Sequence, residues 1–313
     1  MSLALLLVSL FTIVELNCEN LFDTRNDSLK DDDEFLPSSA YRWTPTRYWQ
    51  KVNRIGQTIL SCGMTDSVQV VPDLIALTEV ENDSVMFDLT RRSLLRQAGY
   101  EYVMTDSPDR RGIDVALVYS PFTFRLINHR SLRVTPPRGF RPTRDILYAS
   151  GEIITGDTLH VFVVHAPSRS DGERATRPYR VLVAGELCRA VDSVRAVSAD
   201  AHIVVMGDFN DYTGDASPAL LEQHRLTDIS ASARGTHGAR GTYRYRGLWG
   251  SLDHIFCSDT LRASLKACHI NDAPFLLEED SRYGGVKPRR NYQGPKYLNG
   301  FSDHLPLVAI FAW

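Results

Sequence analysis

Six short apolar runs in this sequence end in side chains that can hold a proton, a cation or a phosphate. Ile13–Leu16 ends in Asn17, Leu74–Thr78 in Glu79, Val161–Val164 in His165, and Ile203–Gly207 in Asp208-Phe209-Asn210. Leu252 is followed by Asp253, and Ser302 by Asp303-His304. A polar residue after any one strand is unremarkable. Six such ends, carrying hard oxygen donors and two histidines, describe a common rim facing one cleft. Carboxylate and amide oxygens suit Mg²⁺ or Mn²⁺, hard cations that keep several waters and share a substrate phosphate. A histidine beside an acid suits proton transfer near neutral pH. Together they describe metal-assisted attack of water on phosphorus.

The elements that must carry these residues are legible as an alternation of short β-branched runs with longer amphipathic stretches. Strands are expected at Thr12–Leu16, Leu74–Thr78, Val115–Tyr119, Ile146–Ile154, Leu159–Val164, Ile203–Met206, Leu252–Phe256 and Leu307–Phe311. Thr155-Gly156-Asp157-Thr158 between two of them predicts a hairpin turn, so part of the sheet is antiparallel. Helices are expected over Arg47–Ser61, Ser84–Ala98 and Arg177–Val197, the first with Val52, Ile55, Ile59 and Leu60 at helical spacing and Thr46 as its N-cap. Pro136-Pro137-Arg138-Gly139 and Tyr283–Gly300 read as loops. The class is α/β with mixed sheets.

Five strings occur in order along the chain: Leu16-Asn17-Cys18-Glu19-Asn20-Leu21-Phe22-Asp23, Leu77-Thr78-Glu79-Val80-Glu81, Gly207-Asp208-Phe209-Asn210, Ser251-Leu252-Asp253-His254-Ile255 and Ser302-Asp303-His304-Leu305-Pro306. This pattern resembles the endonuclease/exonuclease/phosphatase superfamily of metal-dependent phosphoesterases, and it covers nearly the whole chain. The resemblance implies a four-layer α/β sandwich, two central mixed β-sheets flanked by helices, in a single domain over residues 1–313. It also implies roles. Glu79 would be the main metal carboxylate, with Asn17 and Asp303 close to the Mg²⁺ (or Mn²⁺). Asp208 and Asn210 would position the attacking water and the phosphate, Asp208 as the base. His304, oriented by Asp253, would stabilise negative charge developing on the phosphate. His165, opening His165-Ala166-Pro167-Ser168-Arg169, resembles a second histidine at a strand end, and Asp114 is its expected partner. Arg144 resembles an arginine that contacts substrate phosphate; Arg169 is a second candidate for that role.

Other features have plainer readings. His254 directly follows Asp253 and is expected on the opposite face of its strand, in a structural role. Asp31-Asp32-Asp33-Glu34 reads as a solvated loop. Asp208–Gly214 has the outline of an EF-hand but carries an aromatic at its fifth position and Ala219 where the bidentate glutamate belongs. The five cysteines are widely spaced, with no C-x-x-C, and read as free thiols.

Composition narrows the substrate less well. The 313 residues are 43% hydrophobic and 23% charged, as in a soluble globular chain, and the net charge is −3. Tight nonspecific nucleic-acid binders carry a basic excess, which this chain lacks overall. Arg-rich segments 138–144 and 287–290 could still line a groove, and Tyr243, Tyr245, Trp249, Tyr283 and Tyr292 are available either to stack on bases or to pack internally. The leading reading is a phosphodiesterase of nuclease type. The alternatives are a phosphatase or phospholipase-C-like enzyme on inositol phosphates or lipid head groups, and an inactive member retained for binding, although no expected catalytic position is lost. The partner is a phosphate-ester substrate, nucleic acid among the candidates, and no protein partner is implied. The apolar run Leu3–Leu10 is too short to span a membrane. Residues 1–10 are a signal remnant or an expression scar, and both a cytoplasmic and an exported protein are compatible with them.

Overall fold

The computed structural model describes residues 9–63, 70–136, 138–170 and 172–313. Most of the N-terminal apolar run, residues 3–8, lies outside them. In chain order the elements begin with β1 (Leu10–Leu21), α1 (Pro45–Cys62), β2 (Leu74–Val80), α2 (Asp83–Phe87), β3 (Glu101–Met104), β4 (Asp114–Tyr119) and β5 (Phe124–Leu132). There follow β6 (Ile146–Ile153), β7 (Thr158–His165), α3 (Glu173–Val197), β8 (His202–Asp208), α4 (Ala216–Gln223) and β9 (Leu226–Asp228). Next come β10 (Tyr243–Tyr245), β11 (Leu248–Gly250), β12 (Asp253–Ser258), α5 (Asp259–Arg262) and β13 (Leu265–Ile270). The chain closes with β14 (Leu277–Glu279), β15 (Val286–Pro288), β16 (Tyr292–Gln293), β17 (Lys296–Tyr297) and β18 (Leu307–Ala312).

Two six-stranded mixed sheets form the centre, in the orders β13-β18-β1-β2-β4-β3 and β5-β6-β7-β8-β12-β9. The pleat sorts their side chains into three layers of packing. Ile13 of β1, Leu117 of β4, Val161 of β7, Met206 of β8 and Ile255 of β12 meet between the sheets. The alternate residues Val14, Leu16, Ile75 and Leu77 turn outward onto Val52, Ile55 and Ile59 of α1. On the far side Ile203, Val205 and Phe256 turn outward onto Val183, Leu187 and Val191 of α3. The result is the four-layer α/β sandwich.

All eight expected strands are present. The β6–β7 hairpin turns at Gly156, whose φ of +87° needs no Cβ, and Ile153 receives and donates the closing hydrogen bonds. Helix α1 starts at Pro45, two residues before the expected start, so its cap is Thr44 rather than Thr46, which lies inside the helix; the Thr44 hydroxyl accepts the Arg47 N–H at 3.5 Å. Helix α3 begins a turn earlier than its apolar pattern. The helix expected over Ser84–Ala98 is broken. It runs as α2, then a π-turn over Asp88–Arg92 and a 3₁₀ turn over Leu94–Gln97, with Ser93 extended between them. The Ser93 hydroxyl donates to Leu89 O and accepts from Leu95 N, so its side chain replaces the helical backbone bonds. The residues at this break press on Gly56 of α1, where a Cβ would stand 3.2 Å from the Ser93 hydroxyl. Among the described residues no helix is long and apolar enough to cross a membrane, and the five cysteines are free, four of them buried.

Candidate active site

The register of the two sheets explains why polar strand ends converge. Strands β1 and β2 run parallel with Asn17 opposite Thr78, and β7 and β8 run parallel with His165 opposite Asp208. Strand β12 enters antiparallel, placing Asp253 opposite Asp208. The carboxyl ends of four strands and the starts of β12 and β18 therefore share one edge of the sandwich. A cleft of about 660 Å³ opens there, lined by Glu79, His165, Asp208, Asn210, Asp303 and His304 among others.

Asn17 bridges the sheets: its side-chain N–H donates to Asp208 Oδ2 at 3.0 Å, while its Oδ1 accepts from Glu19 N at 2.8 Å. Its backbone carbonyl accepts from Ser302, whose hydroxyl in turn accepts from the His304 N–H, so the Asp303-His304 loop is stitched to β1. Glu79 Oε2 accepts the Asn20 N–H at 2.9 Å. Asp208 Oδ1 accepts the Asn210 N–H at 2.8 Å, and the Asn210 side chain donates to Ala166 O at 3.1 Å. Glu19, Asn20, Glu79 and Asn210 all hold φ between +49° and +59°. That conformation is costly for residues with side chains, and its concentration at the cleft marks a backbone bent to aim functional groups.

The two histidines stand in opposite electrical states. His304 Nδ1 lies 2.7 Å from Asp253 Oδ2, which also accepts from the Thr242 hydroxyl. Burial works against its charge but is outweighed by the pull of Asp253, Asp303 and Asp208, so its pKa stands well above the ordinary imidazole value. His165 has no such partner. Among the described residues its Nδ1 is buried without a hydrogen bond, and its Nε2 is 3.9 Å from Glu79 and 3.8 Å from Asp208. Burial, then the repulsion of Arg144, Arg111 and His304, holds it well below the ordinary value, neutral at pH 7. Burial and the neighbouring Asp253 push the Asp208 carboxyl up to about 7, against the pull of His304.

Two expected contacts differ from the structure. Asp114 does not pair with His165; its carboxylate is taken by the Thr105 and Ser107 hydroxyls and the Ser107 N–H. Asp114 lies at the start of β4, in the β1–β2 sheet, while His165 ends β7 in the other sheet. Arg144 does not present its guanidinium to the cleft. It is buried, with its donors spent on Asp109 at 3.0 Å and on the His165 and Ala166 carbonyls at 3.2 and 2.7 Å. It buttresses the His165 turn from behind. Arg169 does line the cleft, its guanidinium 4.7 Å over the Tyr212 ring and 3.4 Å from Asp215.

The cleft also contains groups that motif reading passed over. Glu19 accepts the Asn291 N–H at 2.6 Å and faces Arg290, which donates to Asp303 Oδ2 at 3.0 Å. Burial and Asp303 push the Glu19 carboxyl up to about 7. Arg111 donates to Asn20 Oδ1 and lies 4.0 Å from Glu79. Glu19 sat inside the first quoted string, and Arg290 inside the basic run 287–290; a three-dimensional contact was needed to join them.

Among the described residues, one group of three ligand-type side chains gathers within 4.8 Å, Asp208, Asp253 and His304. The 2.7 Å His304–Asp253 contact makes that group a hydrogen-bonded pair beside a carboxylate rather than three ligands turned to one ion. Elsewhere in the cleft Glu79 Oε2 accepts the Asn20 N–H and Asp303 Oδ2 accepts from Arg290, so each carboxylate has a second oxygen outside these bonds, while Asn17 Oδ1 accepts the Glu19 N–H.

Residues 12–312 match the model of the Endonuclease/Exonuclease/phosphatase family. Solved structures similar to this chain include an endonuclease/exonuclease/phosphatase family protein from Bacteroides thetaiotaomicron, 16% identical, TM-score 0.63, covering 97% of this chain and 98% of that one. A mannosyl-6-phosphatase from the same organism is 17% identical with TM-score 0.62, covering 96% and 98%. The human Nocturnin catalytic domain with bound sulfate is 17% identical with TM-score 0.58, covering 96% and 94%. No curated protein matches the sequence at a significant level.

Proposed function

This chain belongs to the Endonuclease/Exonuclease/phosphatase family, and we propose that it hydrolyses a phosphate ester with an activated water, as a phosphodiesterase of nuclease type. The observation that carries this reading is the hydrogen-bonded pair of His304 and Asp253 set beside a second buried carboxylate, Asp208, at the floor of one cleft. Asp208, held by Asn17 and the Asn210 N–H, accepts the proton of the water that attacks phosphorus. His304 donates from its free Nε2 to the phosphate as charge grows on its oxygens, and Asp253 keeps that imidazole protonated and aimed. Asn210 orients water and phosphate, and neutral His165 offers Nε2 to the same space. Glu79, with Asn17 and Asp303, would hold Mg²⁺ or Mn²⁺, which when bound supplies Lewis-acid neutralisation of the phosphate. Arg169 contributes a cation at the rim.

One observation favours a second reading, a phosphatase or phospholipase-C-like enzyme on a small head group. The cleft of about 660 Å³ is walled by the β10–β11 hairpin and matches a small ligand in size. A hydrolysis panel separates the two. Bis-p-nitrophenyl phosphate, p-nitrophenyl phosphate, plasmid DNA, RNA, inositol polyphosphates and sphingomyelin are assayed with Mg²⁺, Mn²⁺ or EDTA, with Asp208→Asn as the blank. Metal-dependent cleavage absent from the blank is the expected result. Silence on every substrate would reject the hydrolytic reading in favour of a binding role.

A further inference from the structure

The outer face of the second sheet carries a hollow that the fold leaves unfilled. The apolar stripe of α3 packs Val183 and Leu187 into the layer that holds Phe162 and Val205, and it continues at helical spacing through Ala190, Val194 and Val197. Val194 is only partly buried and Val197 is 91% exposed, because the stripe runs on past the residues it covers. Beside Ala190, the small residue of this stretch, a cavity of about 310 Å³ opens, at the lower end of the size range of small-molecule sites. Its sheet side is aromatic. The Tyr148 ring of β6 lies 5.1 Å from the Phe162 ring and is stacked on that of His160 of β7 at 6.0 Å. Rings on one side and the aliphatic groups of Ala190 and Val194 on the other make a slot that suits a flat apolar body.

The polar groups at this slot offer protons and one positive charge. Arg130 of β5 stands 5.3 Å over the Tyr148 ring, and its guanidinium has no ion pair or hydrogen bond among the described residues. The arginines to either side of it are paired, Arg125 on Glu152 at 2.5 Å and Arg133 on Asp145 at 3.0 Å. The buried Tyr148 hydroxyl lies 2.9 Å from His160 Nδ1. Burial, then His202, holds His160 below the ordinary imidazole value, so its ring is neutral at pH 7. A neutral imidazole and a phenol bring two protons to that bond and spend one, whichever of them donates, so one donor is left over. No carboxylate lines the slot among the described residues. An unpaired fork of N–H groups at an aromatic slot is the complement of a carboxylate carried on a ring. The slot is separate from the active-site cleft and shares no lining residue with it. His160 precedes His165 by five residues on β7, about 16 Å along an extended strand.

We infer that the slot between α3 and the outer face of β5, β6 and β7 is a second ligand site, which takes a small aromatic carboxylate with its ring against Tyr148 and Phe162 and its carboxylate on Arg130. The inference is independent of any hydrolytic activity. Saturation-transfer NMR on the full chain compares phenylacetate, phenylethanol, phenylethylamine and acetate, with EDTA present so that no cation in the active-site cleft captures the acid. Phenylacetate binds with a Kd of about one millimolar or below. Phenylethanol and acetate bind about tenfold more weakly or worse, since each lacks one half of the match, and the amine does not bind. Arg130→Gln, at an exposed position, weakens phenylacetate about tenfold, to the level of the alcohol, and Arg130→Lys recovers part of the loss. Ala190→Phe fills the slot and removes binding of acid and alcohol alike. The Arg130 variants keep the test independent of whether the helix tolerates the larger ring. Failure of every probe to bind, equal affinities for acid and alcohol, or a phenylacetate Kd that Arg130→Gln leaves in place overturns the inference. A Kd unchanged in folded Ala190→Phe would put the acid elsewhere on the molecule and overturn it as well.

Discussion

Strand β12 carries two histidine–aspartate pairs back to back. Asp253 faces the cleft and meets His304; His254, the next residue, faces the helical layer and meets Asp228 at 2.9 Å. Both imidazoles are raised above their ordinary pKa, in each case against burial and through the partner carboxylate. They differ in what is left over. Behind the sheet, His254 Nδ1 and Nε2 face Asp228 and the Asp211 carbonyl, so both ring N–H groups of the charged form are used. Asp228 Oδ1 accepts from the Ser230 N–H and hydroxyl. In front, Asp253 Oδ1 has no partner among the described residues and His304 opens on the cleft. A satisfied buried pair fixes a fold, and an unsatisfied one at a cleft is available for chemistry.

The largest expected effects come from the front. Asp208→Asn removes the base and abolishes measurable turnover while ligand binding persists. His304→Ala lowers kcat by a factor on the order of 10² or more, as for loss of a transition-state donor. Water in the cleft can then solvate Asp253, so the loss of stability stays near about 1 kcal/mol. Full activity in either variant breaks the front half of the comparison, and unchanged turnover in His304→Ala would move the donor role to His165.

The back pair inverts these readouts. Asp228→Ala removes the carboxylate that holds the proton on buried His254, so the imidazole either stays charged and unpaired or gives up its proton and its Nδ1 hydrogen bond, at a cost of about 3 kcal/mol or more in urea unfolding. Activity per folded molecule stays close to that of the wild type. The pair also sets a pH window. His254 is raised, so its contribution is complete below about 6.5 and disappears as pH climbs through the higher folded value. Asp228, where burial is outweighed by His254, is lowered, so its contribution is complete above about 3.9 and disappears as pH falls through the lower folded value. The stability difference between wild type and Asp228→Asn is therefore larger at pH 5.5 than at pH 9. An equal difference at both would show that the back pair is not ionised.

What was legible in the sequence follows the same division. Asn17, Glu79, Asp208, Asp253 and His304 sit where apolar periodicity stops, and a strand end fixes both the height and the face of its residue. Their convergence could be read from strand positions alone. The face of His254 followed from the two-residue pleat. Asp114 and Arg144 take other contacts than the resemblance implied, Asp114 from Thr105 and Ser107 and Arg144 from Asp109 and the His165 turn, because such partners depend on which hydroxyls and carbonyls neighbouring loops leave open in three dimensions. Strand β5 went unread because most of its residues are exposed at a sheet edge, so it shows no alternation. The break at Ser93 was hidden because its cause, a side chain replacing backbone bonds against Gly56, lies in tertiary contact.

The smallest effect tests where the cleft ends. Arg169 and Arg144 flank the same segment, yet only Arg169 reaches the cleft, from a half-buried position against Tyr212 and Asp215. Its pair with Asp215 is partly solvated, and its charge is shared with water as well as with a bound phosphate. Arg169→Ala should therefore remove about 1 kcal/mol of binding, seen as a KM roughly fivefold higher with kcat little changed. Arg144→Met should instead strand Asp109 and loosen the His165 turn, appearing first as lost stability. If Arg169→Ala lowered kcat as much as it raised KM, its guanidinium would be acting on the transition state. The boundary between the rim and the reacting groups would then have to be drawn outward to include it.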